Sequence, residues 1–244
     1  MFSIKTEIKT KMLSKTDNYV WSLDDFTKLP RINVQKAFSL LEKENFIKRI
    51  KRGYYYVPKK TILGNVPYDK HCLAVARIKK RSSFYCYSGL TGYNMLGFTT
   101  QMTNVITISC DYKVRNYDGV IYLYRKKVID GGNNERVVLD LINDIKIIPD
   151  TTVEDCILHI KDLIKSKKVD IVSLVKTAID KKNPQETPRV KAVVGAIAQE
   201  LKVCNTLLIK LKSTLNPTTK IFLNVNNSLP MALNWNIVNE RTQI

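Results

Sequence analysis

Between Asn33 and Pro58 the hydrophobic pattern changes period, and that change constrains the fold more than any other feature of the chain. In residues 33–45 (NVQKAFSLLEKEN) the apolar residues Val34, Ala37, Phe38 and Leu41 fall at i, i+3, i+4 and i+7. That spacing puts them on one inward face of a helix. Gln35, Lys36, Ser39 and Lys43 fall on the other faces. FIKRIK (46–51) and YYYVP (54–58) then read as two strands, joined at Arg52-Gly53 because glycine accepts the positive φ of a tight turn. Basic residues alternate only partly with Phe46, Ile47 and Ile50, so the register of the first strand stays open.

Two shorter helical patterns come before. Residues 3–14 carry Ile4, Ile8, Met12 and Leu13 as one apolar face. SLDDFTKL (22–29) opens on Ser22 with Asp25 three residues on, a capping-box-like start, and Pro30 stops it at Leu29. Asn33 is the predicted cap of the third helix. Three helices followed by a basic hairpin is the order of a winged helix-turn-helix, the hairpin being the wing. The fold class expected is α+β, with this winged helix-turn-helix over residues 1–60.

Residues 61–130 are expected to form a small β-rich connector domain. TILGNVPYD (61–69) reads as a linker, Asp69–Arg81 as a helix, and FYCYS (84–88) as a strand. Ser88–Leu96 is a short helix that Gly97 ends. Residues 104–110, 114–118 and 120–126 look like three antiparallel strands, with Asp118-Gly119 as a hairpin turn. Residues 131–244 are expected to be a mainly helical domain. Helical patterns run over 135–145, 152–164, 170–180, 188–201 and 204–215, with a late strand at 220–225 and another at 234–237.

Charge follows this division. The chain carries 40 Lys and Arg against 22 Asp and Glu, a net of +18. Residues 1–60 hold 14 basic and 6 acidic residues, and residues 61–127 hold 10 and 3, so +15 lies in the first 127 residues. A polyanionic partner is therefore expected at the N-terminal half. Gln35, Lys36 and Ser39 suit base edges in a major groove, Gln for adenine and Lys for guanine or phosphate. Arg31 and Asn33 stand at the helix start, where phosphate contact is natural. Lys43 continues the same helix, and Lys48, Arg49, Lys51 and Arg52 surround the wing turn. Of Tyr54–Tyr56, at least two are expected to pack inward, because strand neighbours point to opposite faces. The cluster Arg77, Lys79, Lys80 and Arg81 is either a further phosphate contact or a solvated helix end.

Other function classes find little support. No apolar run approaches the ~18–20 residues of a membrane span, and the N-terminus lacks a signal-peptide core. Five cysteines, without a CxxC or a Cys/His pair, read as free thiols rather than a disulfide or zinc framework. His71 and His159 have no neighbours at metal spacing. No P-loop, dinucleotide, zincin or hydrolase motif is present. No enzyme activity, metal or cofactor is expected. One trace of a Mg²⁺ nuclease, Asp111-x-Lys113, lacks the second acid such a site needs. A different reading makes the chain a protein-interaction adaptor binding through its C-terminal helices.

Several segments resemble the AbiEi-type antitoxins, transcriptional regulators of type IV toxin–antitoxin systems. The run from Trp21 to Lys59 is similar to their N-terminal domain, and ILGNVP (62–67) to their linker. YSGLTGYNMLGFTTQMTNVITISC (87–110) is the most distinctive match, followed by TPRVKAVVGAI (187–197) and NWNI (234–237). The resemblance implies a cytoplasmic repressor that binds double-stranded DNA at inverted repeats of its own promoter. It also implies a C-terminal region that counteracts a cognate nucleotidyltransferase-type toxin, without requiring a stable complex. For site residues it implies Gln35, Lys36 and Ser39 on the helix, and Arg49, Lys51, Arg52 and Tyr54 on the wing.

Overall fold

A computed structural model describes residues 3–15, 19–62, 64–125, 133–180 and 187–239. It has an α+β architecture that divides into two compact units, Met1–Arg81 and Ser82–Ile244.

The first unit begins with α1 (Ile4–Leu13), capped by the Ser3 side chain, which accepts from the Thr6 amide. Ile8 and Met12 are buried, whereas Leu13 is 62% exposed and leaves the apolar face expected for it. β1 (Val20–Ser22) follows, then a single 3-10 turn over Leu23–Phe26. The expected helix over 22–29 is thus shortened to that turn. Its start is nevertheless built as anticipated: the Ser22 amide and hydroxyl both donate to Asp25 Oδ2, at 2.7 and 3.1 Å. α2 (Arg31–Lys43) has Pro30 at its cap position, with the amides of Asn33 and Val34 donating to the Pro30 carbonyl. Asn33 therefore lies in the first turn and does not cap the helix.

β2 (Lys48–Lys51) and β3 (Tyr54–Tyr56) form the wing, with Gly53 at φ +85° in the turn. The sheet has a third strand, because β1 lies antiparallel on the other side of β3, Trp21 opposite Tyr55. A register shift between Arg49 and Lys51 explains the imperfect alternation of the first wing strand. Val34, Ala37, Phe38 and Leu41 of α2 are all buried, as their spacing requires. They close a core with Ile8, Met12, Trp21, Phe26 and Ile47. Through it runs a chain of ring contacts, Tyr19–Trp21–Phe26–Phe38–Tyr55, with centroids 4.5 to 5.6 Å apart. Such pairs contribute roughly 0.5–1.5 kcal/mol each beyond area burial.

The expected linker is instead a second small hairpin, β4 (Lys60–Thr61) and β5 (Gly64–Asn65), closed by the Thr61 hydroxyl donating to the Gly64 carbonyl. α3 (Lys70–Ala76) is capped by Asp69, which accepts from the His71 amide at 2.8 Å, and turns complete the unit to Arg81.

The second unit opens with β6 (Tyr85–Tyr87), α4 (Gly89–Met95), β7 (Ile106–Cys110) and β8 (Val120–Tyr124). The strand order is β6-β7-β8, and β7 and β8 run parallel, not antiparallel as expected. Asp118 and Gly119 do form a tight turn, both at positive φ, and Tyr117 and Val120 exchange two hydrogen bonds across it. The arm before that turn is one bridge long, so residues 114–118 make no strand and the chain enters β8 beside the start of β7.

Helices α5 (Asn133–Asp144), α6 (Val153–Lys165), α7 (Ile171–Ile179), α8 (Pro188–Glu200) and α9 (Asn205–Ser213) complete the core. Thr152 and Thr187 cap α6 and α8, and Pro188 fills the first turn of α8. α8 is apolar almost all round and is the buried centre, with Val190, Ala192, Val193, Val194, Ala196, Ile197 and Ala198 each at most 1% exposed. β9 (Ile221–Phe222) and β10 (Ile237–Val238) pair in parallel, shorter than the late strands expected, and Ala232–Trp235 is a 3-10 turn. A Cβ on Gly195 would lie 2.3 to 2.5 Å from three ring atoms of Trp235, so the indole lies flat against bare backbone. Its Nε1 donates to Gln199 Oε1 at 2.8 Å. Lys161, buried beneath this end, donates to both Glu200 oxygens at 2.6 and 2.5 Å and to the Ser228 carbonyl at 2.7 Å.

Candidate nucleic-acid interface

The first unit holds 19 Lys and Arg against 7 Asp and Glu, a net of +12. With its inward stripe buried, α2 turns Arg31, Asn33, Gln35, Lys36, Ser39 and Lys43 to the outside, and all six are exposed or nearly so. On the wing Lys48, Arg49 and Arg52 are exposed, and Lys51 and Tyr54 are half-buried. Among the described residues nothing ties the side chains of Gln35, Lys36, Ser39, Lys43, Lys48, Arg49 or Arg52. Arg31 stands 3.9 Å from Asp24, too long and too exposed a pair to hold it. Tyr55 and Tyr56 pack inward, on Phe38 and Tyr68, as two of the three tyrosines were expected to.

Within this unit the basic groups perturb one another. Burial lowers the Lys51 ammonium below its ordinary pKa, and the nearby Arg77 lowers it further. Burial raises Tyr54, against the opposing pull of Arg77 and Arg81. So the wing strands and the turns after α3 share one electropositive field. Not all of the cluster after α3 feeds it. Asp25, almost buried, takes Lys80 at 2.9 Å and Lys79 at 3.7 Å. Burial pushes the Asp25 carboxyl up, but the Ser22 amide and these two lysines outweigh it, and its pKa falls below the usual value. Lys79 also donates to the Tyr19 hydroxyl at 2.5 Å and stands over its ring. Two of the four charges at 77–81 thus hold the unit together. Lys11 is likewise committed, to the Asp25 carbonyl at 2.6 Å, and Lys5 to Glu44.

The sequence reading missed two members of this region. Ile32, on the outer face of α2 between Arg31 and Gln35, is 66% exposed, although its type alone suggested burial. Asp25 was read only as a helix-start residue, and no local pattern announces lysines more than fifty residues away.

In the second unit the distinctive segment 87–110 is held by polar clasps. Ser88 donates to the buried Asp140 at 2.6 Å, which Arg125 approaches at 3.3 Å, and Tyr93 donates to Asp144 at 2.7 Å. Asp150 accepts from the hydroxyls of Thr99 and Thr100 and from the Thr100 amide. Asp111 is engaged in the same way. Slight burial raises it, but the hydroxyls of Ser82 and Ser83 and the amides of Phe84 and Ser83 bring it down to about 2. Its oxygens serve the turn before β6. Among the described residues no three His, Cys, Asp or Glu side chains stand together as metal ligands. His159 Nε2 lies 2.7 Å from the Leu96 carbonyl, with the ring edge-on to Phe98, a packing role. Among the described residues no helix is long and apolar enough to cross a membrane.

No family model matches the chain, and no curated protein matches it. A crystal structure of the RV2827C protein from Mycobacterium tuberculosis is similar, with a TM-score of 0.51 at 10% identity, over 98% of this chain and 90% of that one. At that identity the likeness is one of fold.

Proposed function

We propose that the chain is a cytoplasmic transcriptional repressor that binds double-stranded DNA through the first unit. One observation carries this reading: the winged helix-turn-helix and the +12 charge coincide, and the side chains of Gln35, Lys36, Ser39, Lys43, Lys48, Arg49 and Arg52 stand exposed on it. Gln35, Lys36 and Ser39 face base edges, while Lys43, Lys48, Arg49, Lys51 and Arg52 meet phosphates, with Arg31 and Asn33 at the helix start and Tyr54 beside the wing. The operator is an inverted repeat in the promoter of its own operon, and the second unit counteracts a nucleotidyltransferase-type toxin. Those last two assignments rest on the resemblance of residues 20–240 to the AbiEi-type antitoxins.

The test is a mobility-shift titration of its own promoter with the full chain. Replacing Lys36 and Arg52 by Ala is expected to abolish the shift and leave the melting temperature nearly unchanged, since both side chains are exposed. An unaltered shift removes the DNA-reading assignment. For the antitoxin half, co-expression with the toxin is expected to restore growth when the second unit is intact.

The second reading is an adaptor that binds a protein through the C-terminal helices. Ile209 and Leu233 favour it, 70% and 79% exposed on the second unit. A pull-down with the neighbouring gene product, washed with salt, decides it, and no retained partner argues against it.

A further inference from the structure

Ile32 is an aliphatic side chain set among polar ones on the outer face of α2. It is 66% exposed, three residues before Gln35 and four before Lys36, so its side chain adjoins both. A β-branched residue is a poorer helix former than the Lys, Gln or Arg around it, and at that exposure it adds little to the core. The inward stripe begins only at Val34. An aliphatic group amid the polar side chains of the first two turns suits a partner with an apolar feature set among hydrogen-bonding ones.

We propose that Ile32 and Gln35 form a reading pair, Ile32 against the C5-methyl group of a thymine and Gln35 on the N6/N7 edge of a neighbouring adenine. The inference rests on the DNA-reading function proposed above. In the major groove the methyl is the only apolar mark among the base edges, and a G·C pair lacks it. A helix of this class enters the groove by its N-terminal part, where both residues stand. Three residues of helix advance about 4.5 Å, close to the ~3.4 Å between successive base pairs. Ile32 and Gln35 thus fall on adjoining base pairs, and the core of each half-site is two adjoining A·T pairs. Leu40, 48% exposed, is two turns further toward the C-terminal end and takes no part.

The experiment uses the full chain. Duplexes are first selected from a random-sequence library by the wild-type protein. Each thymine of the selected site is then replaced singly by deoxyuridine, which removes the methyl and nothing else. At one position per half-site, uracil is expected to weaken binding about fourfold, the value of one buried methyl group. Ile32→Ala is expected to bind the thymine and uracil duplexes nearly equally at that position, and Ile32→Ser to behave alike should the alanine variant fold poorly. Wild-type binding indifferent to uracil at every position overturns the pair, as does an Ile32→Ala protein that keeps the full discrimination. Binding without any enriched sequence also overturns it while leaving a DNA-binding unit in place. No duplex binding at all instead sinks the function on which the inference rests.

Discussion

Gly195→Ala is expected to destabilise the second unit, against the ordinary preference of helices for alanine. The added Cβ would sit 2.3 Å from the Trp235 ring, where carbon atoms keep about 3.5–4.0 Å. The indole must therefore retreat by more than ~1 Å. It is 2% exposed and bonded to Gln199, so it has no free direction in which to go. Overpacking of this kind costs about 1–3 kcal/mol, and the strained hydrogen bond about 1 more. Alanine returns about 1 kcal/mol of helix propensity. The net is a loss of about 2 kcal/mol, which in a unit of this size lowers the melting temperature by roughly 4–8 °C. Scanning calorimetry of the full chain reads it. Trp235→Ala alone is expected to lose about 3–5 kcal/mol. The double variant should lose clearly less than the sum, because each change relieves the other. A Gly195→Ala protein as stable as the wild type, with strictly additive losses, would refute the wedge.

Three further outcomes follow from the side-chain networks. Asp25→Asn leaves Lys79 and Lys80 without their anion, and urea unfolding is expected to show a loss of about 1–3 kcal/mol, the lysines' partial exposure trimming the full value. Because the Asp25 carboxyl is held below its ordinary range, its contribution is complete above about pH 4 and fades as pH falls through its folded value; the Asn variant should lack that fall. Lys161→Met removes the donor to Glu200 and to the Ser228 carbonyl and is expected to cost about 2–4 kcal/mol by urea unfolding, partly recovered when Glu200→Leu is added. The Lys51 ammonium, depressed in the free protein, should regain its proton affinity beside a phosphate. As pH approaches the ordinary lysine range from below, duplex binding should then take up protons and weaken. Calorimetry in buffers of different ionisation enthalpy measures the uptake, and no difference from Lys51→Gln would contradict it.

What the sequence disclosed was the part of the fold encoded by neighbours. The stripe Val34, Ala37, Phe38 and Leu41, the turn at Gly53 and the Ser22–Asp25 start are all local arrangements, and each stands where its spacing put it. Asn33 and the hairpin at 60–65 are misread locally, whereas the larger misreadings concern partners far along the chain. Val20–Ser22 is a strand only because Tyr54–Tyr56 offers it an edge. The parallel pairing of Ile106–Cys110 with Val120–Tyr124 depends on how the loop before Asp118 returns, not on the turn residues themselves. Gly195 reads as a tolerated glycine in an apolar helix until Trp235 is laid on it, though the two landmark segments at 187–197 and 234–237 already held both halves. At the candidate interface the chemistry-bearing types were visible in the sequence. Which lysines are spent internally was not, since Asp25 gathers Lys79 and Lys80 only through the tertiary fold.

The affinity of the full chain for a duplex carrying its own promoter, followed from 50 to 200 mM salt, tests DNA binding most directly. Neutralising about six phosphates predicts a fall on the order of a thousandfold over that range. Replacing Lys43, Lys48 and Arg49 by Gln should flatten the slope by about 0.9 for each phosphate left unneutralised. An affinity that ignores salt, or a triple variant that binds like the wild type, would contradict the account.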